Sequence, residues 1–203
     1  MNVHSAGTMS TTTATTTLND KQEAILEAAL NLFASRGFYG TAVPEIAERA
    51  MVGAGTIYRY FESKEALVNV LYQRHKRDLM HALFDGFDPS APVRQAFHGI
   101  WQRACAFARA KPVALQFLEL HHHATYLDDT SRKLEVEIFE TAYQYLVFAS
   151  SQQLLKPLAP EVLLAIVWGS FRGLVQAGCD GMLEFDEEIV GQAEECVWEA
   201  IRR

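Results

Sequence analysis

Between Gly37 and Leu67 a helical apolar pattern stops and restarts within a few residues. Ile46, Ala47 and Ala50 set small and apolar groups at helical spacing, Met51-Val52-Gly53 interrupts them, and Ala54-Gly55-Thr56-Ile57-Tyr58-Arg59-Tyr60-Phe61 resumes the pattern. The stretch predicts two short helices around a tight turn, followed by the start of a third. Ile57 and Phe61, four apart, share one face, while Thr56, Tyr58, Arg59 and Tyr60 point elsewhere. One narrow stripe docks and the remaining face stays polar, which is the division a recognition helix needs in a major groove. So short and polar a helix does not hold itself together in water, so it must be a satellite of a larger body.

The run T-A-V-P-E-I-A-E-R-A-M-V-G-A-G-T-I-Y-R-Y-F-E-S-K-E-A-L resembles the helix-turn-helix signature of the tetracycline-repressor (TetR) family. The resemblance is specific from Asp20 to Leu83 and architectural beyond. It implies an all-α fold, with an N-terminal three-helix helix-turn-helix head (residues 20–65) on a larger helical ligand-binding and dimerisation body (66–203). It also implies a ligand-responsive transcriptional repressor that binds double-stranded operator DNA as a homodimer and is released by a small effector. By the same resemblance Pro44, Ala54, Gly55, Thr56, Tyr58, Arg59, Tyr60 and Lys64 occupy DNA-facing positions. The Arg59 fork suits the two acceptors of a guanine edge. Tyr58, Tyr60 and Lys64 suit phosphates, which set register rather than sequence. The alternative for the tyrosines is packing against the body.

Two positions depart from the family pattern. Ala42 stands where Thr or Ser usually caps the first element of the motif, and Met51 stands where the turn usually has Gly. Ala42 offers no oxygen to the first N–H groups, although Pro44, at the second helical position, removes one donor that would need it. Either Met51 takes a positive φ, at a strain of about 1 kcal/mol, or Gly53 absorbs the turn. A ligand-binding dimer that has lost specific DNA binding is therefore the rival reading.

Charge bears on the same choice. The chain has a net charge of −7, yet from residue 21 to residue 64 Lys21, Arg36, Arg49, Arg59 and Lys64 balance Glu23, Glu27, Glu45, Glu48 and Glu62. A neutral head argues against strong indiscriminate DNA binding, which draws on phosphate neutralisation. Two heads reading two half-sites stay specific with few contacts each.

Residues 1–19 are rich in Thr and Ser, without Lys, Arg or aromatic residues. They read as a disordered tail with neither the charged start nor the apolar segment of a secretory signal. No apolar run approaches a membrane span. Cys105, Cys179 and Cys196 are dispersed without a C-x-x-C, so neither a disulfide framework nor a zinc knuckle is expected, and reduced, helix-packed thiols in a cytoplasmic protein are.

A first helix is expected to open at Asp20, with Glu23 completing a capping box, Ile25, Ala29, Leu32 and Phe33 inward, and Gly37 as its C-terminal cap. Ser63 caps a helix running to Phe84, with Leu67, Leu71, Leu79 and Leu83 inward. His75 lies on that stripe, either as a pocket histidine or as a core histidine satisfied by a neighbour. Further helices are predicted over 93–110, 112–125, 128–155, 161–177 and 186–202, the one over 161–177 apolar almost all round and so requiring burial on several sides. His98 falls on a polar face and reads as solvated. His121-His122-His123 cannot converge on one metal ion, because adjacent helical residues diverge by about 100°. His121 is expected to look inward, while Glu119 and His123 pair outside.

The inward faces offer Leu71, His75, Phe97, Trp101, Phe117, His121, Tyr143, Trp168 and Arg172 as a ligand lining, which suits an apolar or aromatic effector with one or two polar groups. Gly169, Gly173 and Ala177 recur every four residues and invite close approach of another helix. With Val190 and Val197 of the last helix they form the expected dimer interface. No glycine-rich phosphate loop, G-x-S-x-G or H-E-x-x-H occurs, so no metal, cofactor or enzyme chemistry is proposed by the sequence.

Overall fold

The computed structural model of the chain describes residues 10–119, 123 and 125–203, and among these it forms nine α-helices and no strand. Two compact units divide it, Met1–Leu71 and Tyr72–Arg203.

The first unit holds α1 (Ser10–Arg36), α2 (Val43–Arg49), α3 (Ala54–Tyr60) and the opening turns of α4 (Lys64–Phe84). Ile25, Ala29, Leu32 and Phe33 of α1 are buried as the spacing predicts, joined by Val43, Ile46 and Ala47 of α2, Ile57 of α3, and Leu67, Val68 and Leu71 of α4. Gly37 ends α1 at φ 70, its N–H bonded to the Phe33 carbonyl at 2.9 Å. A Cβ on Gly40 would collide with the carbonyl oxygen of Arg36, so this turn needs a residue without one.

The start of α1 differs from expectation. It begins at Ser10, so residues 10–19 are helical where a tail was expected, and Asp20 sits inside the helix rather than capping it. The remainder of that tail, 1–9, lies outside the described residues. Once packing has nucleated the amphipathic part, each added Thr or Ala gains a backbone hydrogen bond against a propensity cost below about 1 kcal/mol.

The second unit contains the rest of α4 with α5 (Val93–Ala110), α6 (Pro112–Glu119), α7 (Asp129–Ser151), α8 (Pro160–Cys179) and α9 (Glu187–Ile201). Asp128 and Asp186 cap α7 and α9, accepting from Ser131 N at 2.7 Å and Ile189 N at 2.8 Å. Phe97, Trp101, Phe171 and Trp168 form a continuous aromatic cluster between α5 and α8. Glu194 of α9 is buried against α5, where Arg94, His98 and Gln102 all donate to its carboxylate. Burial by itself would raise that carboxyl's pKa, but the three hydrogen bonds outweigh it and hold the group below the usual range. His98 thus anchors two helices and is not merely solvated.

Other expectations are corrected here. α6 is described over Pro112–Glu119 and His123 is not helical, so the four-residue spacing that would pair Glu119 with His123 on a helix surface does not apply. Both residues are buried and bond elsewhere. His123 donates from Nε2 to the Phe117 carbonyl at 2.6 Å, which leaves Nδ1 to accept the Tyr126 hydroxyl at 2.7 Å. Val190 and Val197 pack inside the unit, with the Val190 carbonyl accepting from the Trp101 indole at 3.2 Å, so neither lies on a free face. Among the thiols only Cys105 is buried, and burial pushes its pKa up to about 12, while Cys179 and Cys196 are exposed. By length and composition α8 would also suffice to cross a bilayer, with a mean hydropathy of 1.5, although only 17% of that window is buried. The burial on several sides expected of this helix is therefore not met within the chain.

Candidate nucleic-acid interface and effector cavity

Met51, not Gly53, absorbs the turn between α2 and α3. Its φ is 54, while Gly53 is extended at φ −71. The strain is held by backbone bonds on either side, Met51 N to Glu48 O at 3.0 Å and Val52 N to Ala47 O at 2.9 Å. The Met51 side chain is 92% exposed, so the position asks nothing of it beyond tolerance of that φ. Ala42 has no side-chain cap to give, but Glu45 supplies the other half of a capping box. Its Oε2 accepts Ala42 N at 2.9 Å, while Oε1 takes Arg36 Nη1 at 2.9 Å. These bonds, Arg36's charge included, hold the Glu45 carboxyl below its usual range despite some desolvation.

With α3 so fixed, Ile57 is buried and Phe61, just past it, is buried as well. Pro44, Ala54, Gly55, Tyr58 and Arg59 are exposed, and Thr56 and Tyr60 are half-buried. Tyr58 is 56% exposed, so it is not spent on packing. Lys64 differs from the other expected phosphate contacts. Its ammonium donates to the carbonyls of Phe38 at 2.9 Å and Thr41 at 3.0 Å, and sits 4.0 Å from the Phe38 ring centroid. It ties the α1–α2 turn to α4 and, with two of its three donors used, keeps one further N–H.

In the second unit a cavity of about 340 Å³ lies among α4, α5, α7, α8 and α9, a volume within the roughly 300–1,000 Å³ of small-molecule sites. Leu79, Leu83, Phe97, Ile138, Val167 and Trp198 give it an apolar wall. Its polar groups are few. Lys76 Nζ donates to Glu119 Oε1 at 3.1 Å, and the Trp168 indole donates to Glu119 Oε2 at 2.8 Å. Glu135 accepts from the Tyr72 hydroxyl, whose pKa is raised by burial first and then by the negative charge of Glu135. The Tyr145 hydroxyl is buried and has no hydrogen-bond partner among the described residues.

Of the expected ligand residues, Phe97 and Trp168 line this cavity. Leu71 is buried in the first unit. Trp101 and Phe117 are buried without reaching the cavity, Tyr143 stacks on Phe139 at 6.0 Å, and Arg172 is exposed. His75 stands 3.6 Å from Asp78, its pKa lowered by burial against the pull of that carboxylate. His121 lies outside the described residues. The sequence reading missed Lys76, Glu119, Glu135, Tyr145 and Trp198. For Lys76 a signal was available, since Tyr72, Lys76, Leu79 and Leu83 fall on one helical stripe.

A second, shallower site of about 350 Å³ is bordered by Arg109, Cys179 and Phe185, and the Arg109 guanidinium is already engaged there with the Phe185 ring and carbonyl.

Comparison with known proteins matches residues 25–71 to bacterial regulatory proteins of the tetR family and residues 72–203 to the tetracyclin repressor-like C-terminal domain. The chain is 30% identical over 155 residues to the HTH-type transcriptional regulator RutR of Escherichia coli strain K12, covering 74% of this chain and 71% of that one. It is 25% identical over 187 residues to an HTH-type transcriptional regulator of Haemophilus influenzae, covering 91% and 97%. A TetR family transcription regulator from Marinobacter aquaeolei VT8 is similar in structure, with a TM-score of 0.79 at 22% identity over 93% of this chain and 98% of that one. One from Vibrio parahaemolyticus gives 0.69 at 26% identity over 90% and 99%. With both halves matched, and with α2 and α3 arranged as a helix-turn-helix, the chain belongs to the TetR family of DNA-binding transcriptional regulators and is not an enzyme.

Proposed function

We propose that this regulator is a cytoplasmic repressor, that a homodimer of it binds double-stranded operator DNA through α3, and that a small apolar effector in the cavity of the second unit releases it. The observation that carries the DNA part is the division of α3, in which Ile57 is 1% exposed while Tyr58 and Arg59 are left to solvent. Arg59 is assigned a guanine edge, and Tyr58, Tyr60 and the spare N–H of Lys64 are assigned phosphates. Pro44, Ala54, Gly55 and Thr56 are assigned to the rim of the same contact. The effector part is supported by the apolar wall of the cavity and by α4, which carries Lys76, Leu79 and Leu83 into that wall and begins at Lys64. An effector acts only if it prefers one shape of the protein over another.

Arg59→Ala should weaken operator binding by about 1–3 kcal/mol and relax preference at one base position. Fluorescence anisotropy with DNA from upstream of the gene, at low and moderate salt, reads both effects. Equal affinity of the unaltered protein for operator and random DNA would sink the specific-repressor reading in favour of a ligand-binding dimer.

The dimer is assigned to the outer face of α8. Gly169 and Gly173 are exposed, and a Cβ built on either meets nothing within 4 Å. Val162 on the same helix and Val136, Phe139 and Val147 on α7 are large apolar groups left exposed. This face replaces the α9 valines in the expected interface, and Ala177, half-buried, closes its stripe. Because Gly173 has room around it within one chain, Gly173→Leu should leave the protomer folded and weaken association by at least about 1–3 kcal/mol. Sedimentation at micromolar concentration checks this. A monomeric parent protein would reject the dimer, and an unaffected variant would reject the α8 face.

A further inference from the structure

We propose that the cavity is completed by a second copy of the chain, which seats on the α7–α8 face, closes the cavity mouth and sets its own Arg172 against Glu135 there. This rests on the cavity and dimer readings above and adds a coupling between them. Two residues of α7 mark the mouth. Glu135 and Phe139, one helical turn apart, line the cavity and are nonetheless exposed, Phe139 by 43%. The lining residues of α4, α5, α8 and α9 are buried or half-buried. Between the two stands Val136, 59% exposed. α7 and α8 pack together and are joined by residues 152–159, so they run antiparallel. The first half of α7 therefore lies beside the middle and end of α8, where Trp168 lines the cavity and Gly169, Arg172 and Gly173 are exposed. The mouth thus opens on the same apolar face that is assigned to the dimer, and an apolar ligand there stays in contact with water until something covers Phe139.

Charge identifies the cover. Glu135 and Arg172 are both exposed, and among the described residues neither has an ion-pair partner. Glu135 accepts from the Tyr72 hydroxyl, which leaves its carboxylate room for further donors. Of the two charged residues of α8, Glu161 stands in the first turn, while Arg172 stands one turn beyond Trp168, beside the mouth. A two-fold axis makes each contact twice, so Arg172 of either copy meets Glu135 of the other, and one acid and one base on the face suffice for two pairs. A partner of another sequence would have to bring an acid and a base at the same spacing, whereas a second copy brings them by symmetry. An arginine suits the place, because its stem covers apolar surface while its fork pairs with a carboxylate. Gly169 and Gly173, with nothing within 4 Å of a Cβ built on either, let the second backbone come close. A ligand so enclosed is held better in the dimer, and by linkage the ligand must then strengthen the dimer.

The test combines sedimentation of the full chain with fluorescence titration of N-phenyl-1-naphthylamine, an uncharged apolar probe, over one series of protein concentrations. We expect the dimer to bind the probe about fivefold or more tightly than the monomer, with Gly173→Leu giving the monomer's affinity at any concentration. Saturating probe should then strengthen dimerisation by the square of that ratio, about 25-fold, because each dimer holds two sites. Arg172→Glu and Glu135→Arg each set like charges across the junction, so each alone should be monomeric and bind the probe as the monomer does. An equimolar mixture of the two should form a heterodimer with the parent's affinity, since both junctions then join opposite charges. Such rescue by mixing is closed to a pair within one chain. Should Glu135→Arg fail to fold, the concentration series of the parent and of Arg172→Glu decides alone. Equal probe affinity in monomer and dimer, single variants that stay dimeric, or a mixture of folded variants that restores neither dimer nor affinity overturns this inference and leaves the cavity and the dimer standing. If the probe does not bind, or if Ala142→Trp in the cavity wall does not reduce its binding, the cavity reading falls with it. A parent protein that is monomeric throughout the series takes the dimer reading instead.

Discussion

Lys76→Met is expected to lower the free energy of unfolding by about 3–5 kcal/mol, the usual cost of leaving one member of a buried ion pair alone. The side chains of Lys76 and Glu119 are 11% and 8% exposed, so solvent does little to screen what remains when either is removed. With the ammonium gone, Glu119 keeps, among the described residues, the Trp168 indole at 2.8 Å as its donor, and its charge is left in an apolar wall. The double variant Lys76→Met/Glu119→Gln should recover most of the loss. Its amide oxygen still accepts from Trp168, and no charge is buried, a replacement that is often neutral or better. Urea unfolding of the parent protein, both single variants and the double variant gives the coupling directly. A loss below about 1 kcal/mol in Lys76→Met would mean that the pair is wetter than its burial states, since exposed pairs contribute about that much.

Ile57→Ala should remove about 2–5 kcal/mol from the first unit and abolish operator binding without deleting any group assigned to DNA. Ile57 is 1% exposed and is the one fully buried side chain that α3 contributes. A helix of this length has little stability of its own, so loosening its anchor frees the face that carries Tyr58 and Arg59. Hydrogen exchange should show faster opening at α3, with the second unit unchanged. Arg59→Ala provides the contrast, with exchange preserved and affinity lost. If Ile57→Ala keeps parent-level affinity for operator, α3 does not present the DNA-facing surface as assigned.

How much of this was legible in the sequence follows from the range of the interactions involved. The apolar spacing of Ile25, Ala29, Leu32, Phe33, Ile57 and Phe61 determined which faces of the first unit are buried, because a helix fixes side-chain direction residue by residue. Gly37, Ser63, Asp128 and Asp186 marked helix ends by local chemistry, and each behaves accordingly. The family signature between Ala42 and Leu67 is equally local. Met51 shows the limit even there, since either it or Gly53 could have absorbed the turn, and the bonds to Glu48 and Ala47 decide it.

The cavity was not legible in the same way. Phe97 and Trp168 were placed on it, yet Trp101 and Phe117, alike in type and periodicity, went into the core. Periodicity tells inward from outward, but not whether the inward space is filled by another side chain or left open, which depends on how several helices meet. Lys76 and Glu119 are 43 residues apart, and Arg94 and Glu194 are 100 apart, so neither pairing has any trace in local spacing. Val190 and Val197 were read as an outer face because α9 has one apolar side, and only packing against α5 and α8 shows that the chain itself uses it up. The sequence by itself determined the helices, their buried faces and the DNA-binding motif, all set by neighbours a turn or two away. Which buried faces enclose a cavity, which charges pair inside it and which apolar face stays open to solvent are decided by contacts between residues far apart in the chain, and those exist only in the folded structure.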